Sequence, residues 1–212
     1  MATPGQLMHA LHAATGIPLP TIVDLDRKLV KAGLRTKGGR GLNAAQMTPR
    51  DAARLLTALL ASGHANVAAD AVNRYARTQC DRERSSQDQF AATKLDELKS
   101  LSASHGFVDA LATLIAAAST GSWASLTASG EHHRPHIEVY AFTRATRGRI
   151  RISGLPNGLT ASVEYIPRAD PAEKKTRRVG DAPTVQDVGD LEQSRRITER
   201  TIFEVATILA PE

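Results

Sequence analysis

Residues 15–41 read TGIPLPTIVDLDRKLVKAGLRTKGGRG, a passage that stops one helix, starts a second and ends in a glycine-rich basic loop. Gly16 is a helix C-terminal signal, because glycine takes the left-handed conformation without steric cost. Pro18 and Pro20 lack amide donors and restrict the residues before them, so the first helix cannot run on through Ile17-Pro18-Leu19-Pro20. A second helix is expected from Thr21 to Ala32. Its apolar set, Ile22, Leu25, Leu29 and Ala32, recurs every three or four residues, and Thr21, Asp24, Arg27, Lys28 and Lys31 take the other side. Gly33 ends it. The next seven residues, Arg35 to Gly41, hold three glycines and three cations, which suits a basic hairpin tip and not a core.

Upstream, Leu7, Met8, Leu11 and Ala14 sit at helical spacing between Gly5 and Thr15. Downstream, Thr48 is a good N-cap and Pro49 a good first helical residue. They open a helix through Ser62 whose buried face is Ala52, Leu55, Leu56, Leu59 and Leu60. Two short helices joined by a tight turn, the second amphipathic and cationic, match a helix-turn-helix unit. Charge agrees with this. Between Thr21 and Arg54, eight cations less three aspartates leave +5, the whole formal excess of the chain. Such a concentration is the footprint expected of phosphate binding; its bland alternative is a solvated basic face.

The passage LMHALHAATGIPLPTIVDLDRKLVKAGLRTKGGRGLNAAQMTPRDAARLL (residues 7–56) resembles the winged helix-turn-helix family, in a MerR-like arrangement of helix, turn, reading helix, wing and following helix. The TGIPLPTI turn, the KLVKAGL exit and the TPRDAARLL restart carry the likeness, which covers residues 5–62 only. The resemblance implies base-edge contacts from Thr21, Asp24, Arg27, Lys28 and Lys31. It implies phosphate contacts from Arg35, Lys37 and Arg40 in the wing.

Beyond this module, 65–77 and 87–100 read as helices separated by the polar break Asp81–Ser86. Phe107 to Ser119 is apolar over much of its circumference and is expected in a core or a subunit interface. After Gly130 the period becomes two. Ile137, Val139 and Ala141, then Ile150 and Ile152, then Leu159, Ala161, Val163 and Tyr165 alternate with polar residues, with turn signals at Arg147-Gly148 and Pro156-Asn157-Gly158. These predict a three-stranded meander. Residues 170–190 read as a loop, and Leu191 to Ala210 as a closing helix. The expected class is α+β: an N-terminal winged helix-turn-helix (1–64), a helical linker or core segment (65–130), and a small antiparallel β-meander plus C-terminal helix (131–212) for oligomerisation or partner binding.

Hydrophobic residues at 42% and charged residues at 23% exclude a disordered chain. The single cysteine, Cys80, excludes a disulfide framework and makes a reducing, cytoplasmic setting the expectation. No signal-like segment or membrane-length apolar run occurs. His132, His133 and His136 form the one metal-like cluster, but adjacent histidines point apart and no carboxylate or Cys partner declares itself. No phosphate-cradling loop, nucleophile elbow or HExxH helix occurs. The expectation is therefore a non-enzymatic transcriptional regulator without metal or cofactor, binding double-stranded DNA as a homodimer. A phage-type DNA-packaging subunit and an adaptor for an acidic protein partner are the alternatives.

Overall fold

The computed structural model describes residues 2–39, 45–81, 90, 93, 95–102, 104–123, 135–143, 146–155, 159–168 and 193–210. Helix α1 (Pro4–Thr15) opens on a capping box, in which the Thr3 hydroxyl accepts from the Gln6 amide and the Gln6 side chain accepts from the Thr3 amide. Gly16 closes it at φ +72°. Helix α2 (Leu19–Lys31) begins two residues before Thr21, because Pro18 serves as N-cap and Pro20 fits the donor-free first turn. Thr48 and Pro49 start α3 (Pro49–Ala61) as their types require. A 3-10 turn (Ala65–Val67) leads into α4 (Ala68–Ala76), followed by β1 (Thr78–Asp81), α5 (Asp96–Lys99) and α6 (Phe107–Ser119). Strands β2 (His136–Phe142), β3 (Gly148–Ser153), β4 (Ala161–Pro167) and β5 (Ser194–Thr198) come next, and α7 (Glu199–Leu209) closes the chain.

Among the described residues the strands form one antiparallel sheet in the order β1-β4-β3-β2-β5. The expected meander is its centre. Ile137 faces Ile152, Val139 faces Ile150, and Ile150 faces Val163 across the ladders, so the three central strands share an apolar face. The opposite face is a lattice of arginines around two carboxylates. Glu164 binds Arg147 and Arg149, while Glu138 lies 2.7 Å from Arg196 and 3.9 Å from Arg151. Burial pushes both carboxyls up, but hydrogen bonds and the arginine charges outweigh it and hold them below the usual range.

Helices α3, α6 and α7 cover the apolar face, and α1 packs on α7. One continuous cluster joins Leu7 and Ile22 to Leu55, Leu111, Val163 and Ile202. Residues 1–64 therefore share their core with the two segments that follow. Of the two places expected for 107–119, a core or a subunit interface, the core holds it, and α7 is buried beside it: Leu111 and Ile202 are fully buried. Surplus apolar surface thus supplies no reason for a dimer.

Two strands depart from the sequence reading. Thr78–Asp81 lies past the end of the helix expected at 65–77 and runs into the first residue of the expected Asp81–Ser86 break, yet pairs with β4. The closing helix begins only at Glu199, because Ser194–Thr198 is an edge strand on β2. Leu159, expected on the apolar face, lies before β4 and is 48% exposed. Of the helix expected at 87–100, the described residues show α5, and much of the remainder lies outside them, as do the Arg82–Ser86 break and the 170–190 loop.

Gly148 and His105 fix the sheet to the helices. A Cβ at Gly148 would stand 2.6 Å from the Phe107 ring, and the same ring packs edge-on against Tyr75 and Tyr165. Gly148→Ala is expected to cost about 1–3 kcal/mol through overpacking, read by urea denaturation. His105 donates from Nδ1 to the Ser102 carbonyl and accepts from the Tyr165 hydroxyl at Nε2. Burial pushes its pKa below 6.5 against the opposing pull of the Ser102 carbonyl and Asp109. Neutral His105 thus contributes stability that is complete above the ordinary histidine value and is lost as pH falls below it. His105→Gln should flatten the melting temperature between pH 7 and 5 relative to the parent chain.

Candidate nucleic-acid interface

The corner between α1 and α2 is only three residues long, and its geometry is fixed by hydrogen bonds. The Gly16 amide donates to the His12 carbonyl, and His12 Nδ1 lies 2.8 Å from the Ile17 carbonyl, which only a protonated ring nitrogen can satisfy. Thr21 and Ile22 donate to the Pro18 carbonyl, which settles the first turn of α2. Ile22, Leu25 and Leu29 lock one side of α2 into the core. Thr21, Asp24, Arg27 and Lys31 remain in solvent on the other. Lys28 is half-buried, and its ammonium donates to Asn66 in the 3-10 turn at 3.0 Å.

The glycine-rich loop grows from a rigid root. Gly33 takes φ +70°, and Leu34 turns back to donate to the Leu29 carbonyl while its own carbonyl accepts from Arg54. Arg35 points inward. Its Nε and Nη2 lie 2.6 and 2.8 Å from the two oxygens of Asp26, with side chains 11% and 7% exposed. Nη2 makes the hydrogen bond of this buried ion pair, and Nε approaches the other oxygen without hydrogen-bond alignment. Arg35 thus serves the root of the loop, its Nη2 donating to Asp26 and its Nη1 to the Thr36 carbonyl.

Asp51 holds both ends of the loop. It accepts from the amide and hydroxyl of Thr36 and from the amide and hydroxyl of Thr48. Burial pushes this carboxyl up, but the hydrogen bonds from Thr36 and Thr48 prevail and hold it below the usual range. The two arms then touch, since a Cβ at Gly38 would stand 2.2 Å from the Ala45 nitrogen; only glycine fits there. Lys37 is exposed on the outgoing arm. Arg40 lies outside the described residues.

The structure thus brings Thr21, Asp24, Arg27 and Lys31 onto one solvent-facing side and leaves Lys37 exposed on the loop, while Arg35 and Lys28 are engaged elsewhere. Of the basic window, Arg50 also pairs, with Asp109 at the surface. Sequence reasoning missed the anchors Asp26, Asp51 and Arg54. Asp26 was signalled: it stands on the apolar stripe between Ile22 and Leu29, where a carboxylate demands a cation.

No group of three potential metal ligands occurs among the described residues, and His132 and His133 lie outside them. His136 instead rests against Glu199 at 2.8 Å, and Cys80 is buried. No described helix is long and apolar enough to cross a membrane. No protein-family model, curated protein or solved structure matches the chain.

Removing the loop anchor should loosen the loop before it unfolds the protein. Asp51→Ala deletes a capping box and orphans the Thr36 and Thr48 donors, at about 1–3 kcal/mol. Trypsin should then cleave at Lys37 faster than in the parent chain under native conditions.

Proposed function

We propose that this chain is a sequence-specific DNA-binding transcriptional regulator, with α2 as the reading helix of a winged helix-turn-helix and the glycine-rich loop as its wing. One observation carries the reading: Thr21, Asp24, Arg27 and Lys31 run along the solvent side of a helix whose other side is locked in the core. At 1.5 Å per residue this row spans about 15 Å, a length suited to the roughly 12 Å width of a major groove. The row is polar but not uniformly basic, since Asp24 interrupts it. An acidic side chain there can accept from a cytosine amino group, which a non-selective phosphate binder would not need.

The tip supplies the backbone contacts. With Arg35 bound to Asp26, phosphate neutralisation falls to Lys37 and Arg40, assisted by Lys31 at the C-terminus of α2. The stiff root keeps the ordering cost of such a contact low. A single reading helix spans few base pairs, so two copies on a two-fold or repeated site are the working assembly. The homodimer rests on this DNA geometry alone.

The test is fluorescence anisotropy of the full chain on fragments selected from genomic DNA and on random duplex, across a salt series. Affinity should fall with a log-log slope of about −0.9 per phosphate contacted. Arg27→Ala should shift preference among sites by about 1–3 kcal/mol, whereas Lys37→Ala with Arg40→Ala should weaken all sites alike. Salt-independent binding, or none, overturns the proposal. Tight binding without sequence preference would favour the packaging-subunit alternative.

A further inference from the structure

A cavity of about 650 Å³ opens between the α1–α2 corner, the end of α3, strand β5 and the start of α7. Its size falls in the range that holds a small organic ligand. Ile17, Leu25 and Leu59 give it apolar wall, and Arg195, His64 and Thr201 give it polar groups. No Asp or Glu lines it among the described residues.

Arg195 is the chemically distinctive member. Its Nη1 donates to two carbonyls at the C-terminal end of α3, Leu59 at 2.9 Å and Ser62 at 2.8 Å. Those two bonds use both hydrogens of that nitrogen and hold the guanidinium plane in place. The Nε and Nη2 hydrogens have no partner among the described residues, and this pair is the fork that matches a carboxylate. Its neighbour Arg196 turns to the opposite face of the sheet, onto Glu138 and over Tyr140. Arg196 also borders the cavity, but its guanidinium is engaged by Glu138, so Arg195 is left as the guanidinium of the site, which suits a monoanion. The first turn of α7 adds to it: Thr198 and Thr201 line the cavity, and the α7 N-terminus has no side-chain cap.

We propose that this cavity is an effector site for a small organic acid, a monocarboxylate with an apolar body. The carboxylate sits on the open fork of Arg195 and the body lies against Ile17, Leu25 and Leu59. Pro18 and Thr21, at the start of α2, line the same space. A ligand there contacts the reading helix and the β5–α7 junction together, so it shifts the position of the row that meets DNA. The effector role rests on the DNA-binding reading; the acid site itself does not.

Ligand-observed NMR on the full chain, with aryl- and alkyl-carboxylic acids (phenylacetate, 4-phenylbutyrate, hexanoate, octanoate) each paired with its primary amide, tests the site. At least one acid should bind ten times more tightly than its amide, and Arg195→Gln should erase that preference. Ala65→Trp, which fills the cavity from its rim, should abolish binding even if Arg195→Gln proves unstable. Equal binding of acid and amide, no binding at millimolar acid, or full binding by Ala65→Trp overturns the site. The bound acid should also change affinity for DNA at least threefold in the anisotropy assay. An acid that binds but leaves DNA affinity unchanged overturns the effector role, and a chain that binds acids but no DNA sinks the regulator reading while leaving the site standing.

Discussion

The burial of α3 on every side is the constraint that organises this molecule. From Asp51 to Ala61 each residue is buried except the half-buried Arg54, and the helix packs on α4, α6 and the β2–β5 edge of the sheet. A helix covered all round cannot present a functional face. What it does instead is position its ends. At its N-terminus Asp51 gathers the two ends of the glycine-rich loop, and at its C-terminus the Leu59 and Ser62 carbonyls receive Arg195. The loop and the β5–α7 junction are thus referenced to the same rod, and α2 lies against it as well.

Electrostatics follows from that geometry and differs from what a count of charges suggests. The +5 window looks uniform in sequence, but folding divides it. Arg35 neutralises Asp26, Arg54 holds the Leu34 carbonyl, Lys28 holds Asn66 and Arg50 faces Asp109. Within that window, the exposed cations with no such engagement are Arg27, Lys31 and Lys37 among the described residues. A basic window is therefore partly a set of structural cations, and only the fold separates the two kinds.

The elements that were legible are those whose signals are local. Gly16, Pro18, Thr48 and Pro49 mark helix ends through backbone chemistry that no tertiary contact overrides, and α1, α2 and α3 fall where they indicate. The three central strands were legible because one face of each is buried, which writes a period of two into Ile137, Val139, Ile150, Ile152 and Val163. Strands β1 and β5 were not. Thr78–Asp81 has four residues and one apolar inward side chain of note, Cys80; Ser194–Thr198 has one, Ile197. Edge strands that short leave no pattern and are chosen by the ladder beside them. The candidate reading row was visible as the polar side of α2, since a helix at a core's margin must be two-faced. The root of the loop was less so, because Asp26–Arg35 and Asp51–Thr36 are pairings across space. The cavity was invisible for the same reason, its walls coming from residues 14–25, 59–65 and 195–201.

The bonds from Arg195 to Leu59 and Ser62 also set an order of events during synthesis. They span more than 130 positions of chain, and α1 likewise packs on α7, which begins at Glu199. While a ribosome is still making the middle of the chain, the first three helices have neither their final packing partner nor the group that satisfies the α3 carbonyls. Contacts of such long sequence separation form late, and incomplete chains expose the apolar surfaces those contacts would cover. The nascent α1–α3 segment is thus a natural client for chaperones, and a nonsense mutation at Ser194 would deprive the first sixty residues of their finished fold.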